Sequence, residues 1–389
     1  MIEISARLYR GSVYFTNETL RCLITFRNVS DGGHSPPEVL AWSGVQIHCQ
    51  CTVDETRVVA ARSSVAREQQ TALSSTETSF QPFKGERGKV VFSTKPKILF
   101  CDLNLMPNES KSYLYQETIP SKAPPSYTGS AVKYVYKLSI GTQRINNSIQ
   151  LLQMPLRVLA ISQQNDVSPD EELEDVSPVM VTNSDHFLHT DLKENTLDLL
   201  LHKLDCLTAR RSPSSFVITN QLGKVVNFSI FKTAFKLGED VIGIFNFEEA
   251  TVPCVQYSVT LQSEEVVKEE CRNKSAKSTK QITSYSKIHE FCLDTSTTHI
   301  ILPIPLTVTP TFETNILSLT WKLHFEFVTT KPEEIKCTQI RDSQGCLEQS
   351  PTNLTVQTMV WDLPITVYPT HPIQVGRGLQ MPASGTLVV

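Results

Sequence analysis

Two histidines are the first residues whose spacing could support chemistry. His186 and His189 stand three residues apart, so a helix would place both imidazoles on one face. A zinc site needs further ligands, and no carboxylate or thiol follows at a matching spacing. We therefore expect no metal site at these histidines.

Cysteine thiols are a second kind of reactive group, and the chain has 10 of them. No two are spaced Cys-x-x-Cys, which argues against a zinc ribbon or a thioredoxin site. Cys49 and Cys51 lie two residues apart, on the same face of a predicted strand. That pattern favours paired core positions over a metal site.

Enzyme motifs are absent from the sequence. It contains no Gly-x-x-x-x-Gly-Lys-Ser/Thr, His-Glu-x-x-His, Gly-x-Ser-x-Gly or Gly-x-Gly-x-x-Gly. We expect no catalytic residues and no cofactor, so a metal-dependent enzyme is the least favoured of the function classes.

The segment Pro124–Tyr127 reads Pro-Pro-x-Tyr, which is the motif that WW domains bind as an exposed polyproline II segment. It leads directly into a predicted core strand. Phe312 occupies the equivalent position of an internal repeat described below, and repeat-matched apolar positions are typical of a core. We predict that Tyr127 is a buried aromatic residue.

Length, composition and charge limit the class of protein that holds these residues. The chain has 389 residues, enough for about two domains, and a net charge of -4 with 40% hydrophobic residues. No basic excess supports binding to nucleic acid. No apolar run reaches the roughly 18–20 residues of a membrane span, and the first residues lack the apolar core of a secretory signal. We expect a cytosolic protein.

Alternating polar and apolar residues predict a β-sheet protein. In Leu20–Arg27, every second side chain is apolar, which is the period of a half-buried strand. Similar alternation recurs along both halves of the chain. We predict an all-β fold of two sandwiches.

An internal repeat divides the chain into two copies. Tyr14–Phe26 matches Phe235–Phe247, and the offset is the same at every matched position. Ile119–Leu138 matches Ile304–Leu323 without a gap, again at one constant offset. Matching apolar faces at matching strand positions predict two copies of one sandwich, with Tyr136 and Trp321 at equivalent core positions.

The repeat sets the domain boundaries. We predict a first sandwich at 1–161, a linker at 162–214, a second sandwich at 215–369 and a mobile tail at 370–389. The linker combines an acidic run, Asp166–Ser177, with the only convincing helix of the sequence.

That helix carries a leucine stripe, which belongs to neither repeat. The stripe consists of Leu197, Leu200, Leu201, Leu204 and Leu207. An apolar helical face must be covered by something. The stripe either docks on the chain's own sandwiches or fits a groove of a partner protein.

The two copies together resemble the arrestin fold. The resemblance rests on Tyr14-x-x-x-Glu18 at the entry to a strand, on Pro124–Gly129 before Val132-x-Tyr134, and on Pro310–Glu313.

Longer runs resemble the Rgp-type subunit of the Ric–Rgp complex. These runs are Gly85–Gly88, Ser93–Leu103, Glu109–Tyr113, Ser130–Leu138, Lys236–Val241, Leu323–Thr329 and Trp361–Ile365. The resemblance covers both sandwiches. It fails in the linker, in the loop from Cys271 to His289 and in the tail.

The resemblance implies a function that periodicity does not show. Rgp-type proteins pair with a large Ric subunit, and together they act as a guanine-nucleotide exchange factor for the Golgi Rab-six GTPase. We therefore expect a non-enzymatic subunit that supports endosome-to-Golgi vesicle fusion, in the cytosol and peripherally on Golgi membranes. The alternative is an arrestin-like or retromer-like cargo adaptor that binds receptor tails.

Candidate partner-binding residues come from two places. The charged turn Gly85, Glu86, Arg87 and Gly88 is either an ordinary β-turn or a loop that faces a partner. The second candidate is the helix, through Leu197, Leu200, Leu204 and Leu207.

Overall fold

The computed structural model describes residues 1–30, 36–59, 88–161, 188–210, 212–276, 278, 280–335, 338–342, 345–349 and 354–389. Within these ranges the chain forms two β-sandwiches in succession, which confirms the all-β prediction.

The described residues of the first half of the chain form ten strands. They are β1 (Ile2–Leu8), β2 (Val13–Phe15), β3 (Thr19–Asn28), β4 (Glu38–Val53), β5 (Lys89–Ser93), β6 (Lys97–Leu105), β7 (Ser110–Thr118), β8 (Tyr127–Thr128), β9 (Val132–Gln143) and β10 (Gln150–Leu159). The helix α1 (Leu188–Leu207) follows.

In the second half, thirteen strands lie within the described ranges. They are β11 (Ser214–Asn220), β12 (Gly223–Ile230), β13 (Ala234–Lys236), β14 (Asp240–Asn246), β15 (Cys254–Val267), β16 (Lys280–Phe291), β17 (Thr297–Pro303), β18 (Phe312–Glu313), β19 (Leu317–Thr330), β20 (Thr338–Asp342), β21 (Gly345–Gln349), β22 (Val356–Tyr368) and β23 (Ser384–Val388). The helix α2 (Pro372–Leu379) precedes β23, and short 3-10 helices lie at Glu269–Cys271 and Pro332–Ile335.

The sheets repeat one topology. In the first sandwich, β23-β1-β3-β7 faces β2-β10-β9-β4-β5, with β6 on β4 and β8 on β9. In the second, β11-β12-β14-β17 faces β13-β22-β19-β15-β16, with β18 on β19. β20 and β21 form a separate hairpin. β23 and β11 therefore hold equivalent places beside β1 and β12.

The repeated glutamate has a structural role in both copies. Glu18 accepts a hydrogen bond from the backbone N–H of Phe15 at 2.9 Å, and Glu239 accepts one from the N–H of Lys236 at 2.8 Å. Each carboxylate thus closes the turn from β2 to β3, or from β13 to β14. The turn needs a left-handed residue just before the glutamate, and Gly238 supplies it in the second copy.

The two central aromatic residues also occupy equivalent places, as the repeat predicted. Tyr136 and Trp321 are both fully buried. The Tyr136 hydroxyl donates to the carbonyl oxygen of Pro124 at 2.6 Å, and the Trp321 Nε1–H donates to that of Thr309 at 3.2 Å. Each acceptor lies equally far upstream of its ring, so the buried polar atom of each ring meets the same backbone position of its sandwich.

The prediction of a mobile tail at 370–389 is wrong. The segment forms α2 and β23, which adds to the linker helix a second helix that the sequence did not predict. β23 pairs antiparallel with β1, from Glu3 opposite Val388 to Arg7 opposite Ser384. The Ser12 hydroxyl donates to the carbonyl oxygen of Pro382. The backbone groups of the tail are paired with the first sandwich, so they form a strand despite weak local signals.

Candidate interaction surfaces

The two sandwiches meet at the aromatic pair that the repeat relates. The rings of Tyr127 and Phe312 lie 4.9 Å apart between centroids, edge to face, and both residues are buried. This confirms that Tyr127 is a buried aromatic residue. A WW domain cannot reach a tyrosine in this position without opening the interface.

A carboxylate of the second sandwich holds the turn that follows Tyr127. Glu265 on β15 is buried and accepts from the Tyr127 hydroxyl at 2.5 Å. It also accepts from the N–H of Ser130 at 2.9 Å, from the Ser130 hydroxyl at 3.0 Å and from the N–H of Ala131 at 2.7 Å. Four donors from one sandwich thus converge on a single carboxylate of the other, which offsets much of the cost of burying it.

The close approach constrains the residues beside this carboxylate. A Cβ atom at Gly129 would collide with the Glu265 carboxylate and with the Tyr127 ring, so the turn requires glycine there. Burial raises the pKa of the Tyr127 phenol, and the neighbouring Glu265 carboxylate raises it further. The phenol therefore stays protonated and remains a donor.

The contact is reciprocal, because the equivalent turn of the second sandwich packs on the first. Thr314 on that turn borders the same cavity as Tyr134 of β9. Phe312, Leu317 and Leu319 belong to the buried apolar cluster of the first sandwich. Each copy thus offers the same turn to the other copy, as in an isologous interface with approximate two-fold symmetry.

Further hydrogen bonds fix the orientation of the two sandwiches. The N–H of Val59 donates to the carbonyl oxygen of Cys271 at 2.9 Å, and the N–H of Asn273 donates to that of Arg57 at 2.9 Å. On the opposite side, Arg157 Nη2 donates to backbone carbonyls of the second sandwich. The two sandwiches are therefore held together by hydrogen bonds at several places along their interface.

Two cavities flank the Tyr127–Phe312 contact. The lysine cavity, named for its three lysines, has a volume of about 900 Å³; these residues are Lys122, Lys203 and Lys268. The arginine cavity, named for Arg157, has a volume of about 670 Å³. The segment at 122–124 borders the first cavity, and its equivalent at 307–309 borders the second. The two cavities are therefore counterparts under the repeat.

The leucine stripe packs on the chain's own second sandwich. Leu204 is buried in the apolar cluster of that sandwich, and Leu197, Leu200, Leu201 and Leu207 are partly buried against it. Asp205 pairs with Lys236 of β13, at 2.5 Å between Oδ1 and Nζ. The structure favours local docking of this face over a contact with a partner.

The remaining candidates from the sequence are the charged turn at 85–88 and the histidine pair. Gly85, Glu86 and Arg87 lie outside the described residues, so their role as a partner-facing turn stays a prediction. Gly88 has a left-handed backbone with a φ of 122° and lies against β4, near the carbonyl oxygen of Cys51. The side chains of His186 and His189 also lie outside the described residues.

The neighbouring thiols are core groups. Cys49 and Cys51 are buried, and burial raises the pKa of Cys49 to about 12 and that of Cys51 to about 11. Such thiols stay protonated at neutral pH, which makes them poor nucleophiles. No group of three or more His, Cys, Asp or Glu residues that could hold a metal ion occurs in the described part of the chain.

Neither helix within the described ranges is long and apolar enough to cross a membrane.

An exposed apolar surface lies on the outside of the second sandwich. We call it the isoleucine face and define it by Ile242 and Ile244 on β14 and Ile301 on β17. Their exposed fractions are 37%, 39% and 51%. Ile242 lies directly opposite Ile301 in the sheet. The alternating pattern did not predict this face, because alternation alone does not show that both faces of a strand are apolar.

The first copy serves as an internal control for this surface. At the positions equivalent to Ile242 and Ile301, it has Arg21 opposite Gln116. One apolar pair, Leu23 opposite Leu114, is present there as well. The fold accepts polar side chains at the Ile242–Ile301 position, so the isoleucines need an explanation other than the stability of the sandwich.

Similarity to known proteins extends over both sandwiches. The family model described as Rgp1 matches residues 40–175 and 161–330. RAB6A-GEF complex partner protein 2 of Homo sapiens is 41% identical over 400 residues, which cover 100% of both chains. RAB6A-GEF complex partner protein 2 of Bos taurus is 42% identical over 388 residues, which cover 95% of both chains.

Proposed function

The chain belongs to the Rgp1 family, and on that premise we propose that it is the non-enzymatic subunit of a two-protein guanine-nucleotide exchange factor. The substrate of the complex is a Rab-six GTPase, and the second subunit is a large Ric-type protein. Similarity along the full length of both chains to proteins named as RAB6A-GEF complex partners carries the proposal.

The architecture supports a scaffold role. Exchange breaks no covalent bond and requires a surface that binds the nucleotide-free GTPase more tightly than the nucleotide-bound form. Two sandwiches joined through Glu265, the Tyr127–Phe312 contact and flanking backbone bonds form a stiff support for such a surface. A stiff support lowers the entropy lost when a complex forms.

We assign the isoleucine face to the contact with the large subunit. Its central pair, Ile242 and Ile301, is exposed in the isolated chain and has polar counterparts in the first copy. Apolar side chains at the centre of an interface supply much of the affinity of stable complexes. The complex would act on Golgi membranes in endosome-to-Golgi transport and would reach them peripherally from the cytosol.

A reconstituted exchange assay tests the proposal. Release of a fluorescent guanine nucleotide from a Rab-six GTPase is measured with this chain alone, with the large subunit alone and with both. We expect robust release only with both proteins, and little or no release with this chain alone. Robust release by this chain alone would contradict the subunit role, and so would a rate with both proteins equal to that of the large subunit alone.

A second measurement separates the exchange subunit from a cargo adaptor. An adaptor should bind short receptor-tail peptides without the large subunit and should leave the release rate unchanged. A GTPase outside the Rab-six class serves as the substrate control, and its nucleotide release should not respond to the complex.

A further inference from the structure

The lysine cavity differs in charge from its counterpart under the repeat. Among the residues that the structure describes, its lining contains the three lysines and one acidic residue, Glu313. The described lining of the arginine cavity contains one cation, Arg157, and one carboxylate, Glu265, which already accepts four hydrogen bonds. The two equivalent cavities thus differ in charge, and only the lysine cavity has an excess of positive charge.

The positive charge is not a requirement of the fold. Lys122 has Thr307 as its repeat equivalent, and this threonine borders the arginine cavity. Lys268 pairs with Glu313, at 2.6 Å between Nζ and Oε1. Lys122 and Lys203 are exposed and make no ion pair with any residue that the structure describes. Two ammonium groups are therefore available to a ligand.

Besides polar side chains such as Asn17, Thr314 and Asn315, the lining includes an apolar part, which we call the apolar floor. Pro124, Pro125, Phe312, Ile316 and Leu200 border the cavity together with the lysines. The three lysines come from three separate elements, namely the turn before β8, helix α1 and the segment after β15. The charges thus surround an apolar floor instead of converging on one point, as they would around a single phosphate.

We infer that the lysine cavity binds an acidic peptide segment of a partner protein, with carboxylates on Lys122 and Lys203 and apolar side chains on the floor. Its volume of about 900 Å³ lies at the upper end of the roughly 300–1,000 Å³ that ligand sites occupy. The two lysines favour an acidic ligand, because their charge is complementary to it. The apolar floor favours a peptide over a small inorganic anion, because a peptide has side chains that can pack on it. This inference goes beyond the exchange function, because it requires neither the large subunit nor the GTPase.

Fluorescence anisotropy with the full chain tests the inference. The probe is a labelled peptide rich in Glu with Leu spacers, and its control is the same peptide with Gln at each Glu. The variant Lys122→Gln/Lys203→Gln should weaken binding of the Glu peptide by about tenfold, because two ion pairs are lost. Both lysines are exposed, so thermal unfolding should not change.

A matched variant controls for net charge. Lys133→Gln/Lys274→Gln removes two exposed lysines that border neither cavity and should change the affinity by less than about twofold. The reversal Lys122→Glu/Lys203→Glu should abolish binding of the Glu peptide and create binding of a Lys-rich peptide of the same design.

Three outcomes would overturn the inference. Equal binding of the Glu and Gln peptides would show adhesion to the apolar floor alone. Equal losses in both lysine variants would show a diffuse charge effect. The third outcome concerns the chain's own acidic residues Asp170, Glu171, Glu172 and Glu174. If replacing them by Asn and Gln raises the affinity by about tenfold or more, the occupant is the chain itself rather than a partner.

Discussion

The rings of Tyr127 and Phe312 lie 4.9 Å apart although they belong to different halves of the chain and each is the other's counterpart in the repeat. Two equivalent residues can touch only if they lie close to the axis that relates the copies. The chain is thus arranged like a symmetric dimer whose protomers are covalently joined. The two copies differ in the charge of the two cavities and in the isoleucine face, which only the second copy carries in full.

The first prediction concerns the carboxylate at this interface. Glu265→Gln replaces an acceptor of four hydrogen bonds by an amide that offers one oxygen and brings two donors of its own. We expect the free energy of unfolding to fall by about 2–4 kcal/mol, measured by urea unfolding. Glu269→Gln, at an exposed acid four residues further along the chain, is the control and should change it by less than about 0.5 kcal/mol. A Glu265→Gln variant as stable as this control would show that the four contacts carry no net stability.

The second prediction concerns the core of the second sandwich. Trp321→Ala should cost about 3–5 kcal/mol, because the ring is fully buried and its Nε1–H satisfies the carbonyl of Thr309. Tyr136→Ala should cost a similar amount in the first sandwich, since it occupies the equivalent place. Chemical unfolding measures both. A loss below about 1 kcal/mol for either would contradict the equivalence of the two positions.

The third prediction concerns the isoleucine face. Ile242→Glu/Ile301→Glu should abolish co-purification with the large subunit, because both side chains are exposed in the isolated chain. It should lower the melting temperature no more than the matched control does, since both variants place two like charges directly opposite each other. The matched control is Arg21→Glu/Gln116→Glu, which places the same charges at the equivalent pair of the first sandwich. The control should retain the partner. Equal losses in both variants, or none in either, would refute the assignment of this face.

The fourth prediction concerns alkaline pH. Burial raises the pKa of Cys22 and Cys49 to about 12 and that of Cys51 to about 11, above the roughly 8.5 of a free thiol. As the pH rises, the unfolded chain loses these protons first, so the contribution of these thiols to stability is constant below about pH 8.5 and falls between about pH 8.5 and 11. Urea unfolding across this range measures the slope. Cys49→Ala/Cys51→Ala should flatten it, and an unchanged slope would show that other groups cause it.

The repeat made most of the fold predictable, because equivalent strand positions keep equivalent apolar faces. The constant offset between the two copies placed Tyr136 and Trp321 at equivalent core positions, and the structure adds that each ring contacts an equivalent carbonyl. The burial of Tyr127 followed from the same offset. Its acceptor did not, because Glu265 lies on a strand of the other copy and no local pattern connects the two.

The helix and strand of the tail could not be predicted from the local sequence. Helix α2 contains Gly376 and Gly378, and β23 begins with Ser384 and Gly385, so local preferences favour neither element. Pairing with β1 stabilises the strand, and this pairing depends on residues at the opposite end of the sequence. The lysine cavity was missed for a related reason, since its three lysines converge only after both sandwiches and α1 have packed.

The place of β23 has a consequence for any attempt to divide the chain. The first sandwich takes its outermost strand beside β1 from the far end of the sequence, whereas the second builds the same strand locally as the hairpin of β11 and β12. A fragment that ends at residue 161 therefore keeps an open edge along Ile2–Leu8, where unpaired backbone groups would recruit a strand from another molecule. In the full-length protein the same geometry permits strand exchange: β23 of one copy can close the sheet of a neighbour, which would create a dimer without any new contact surface.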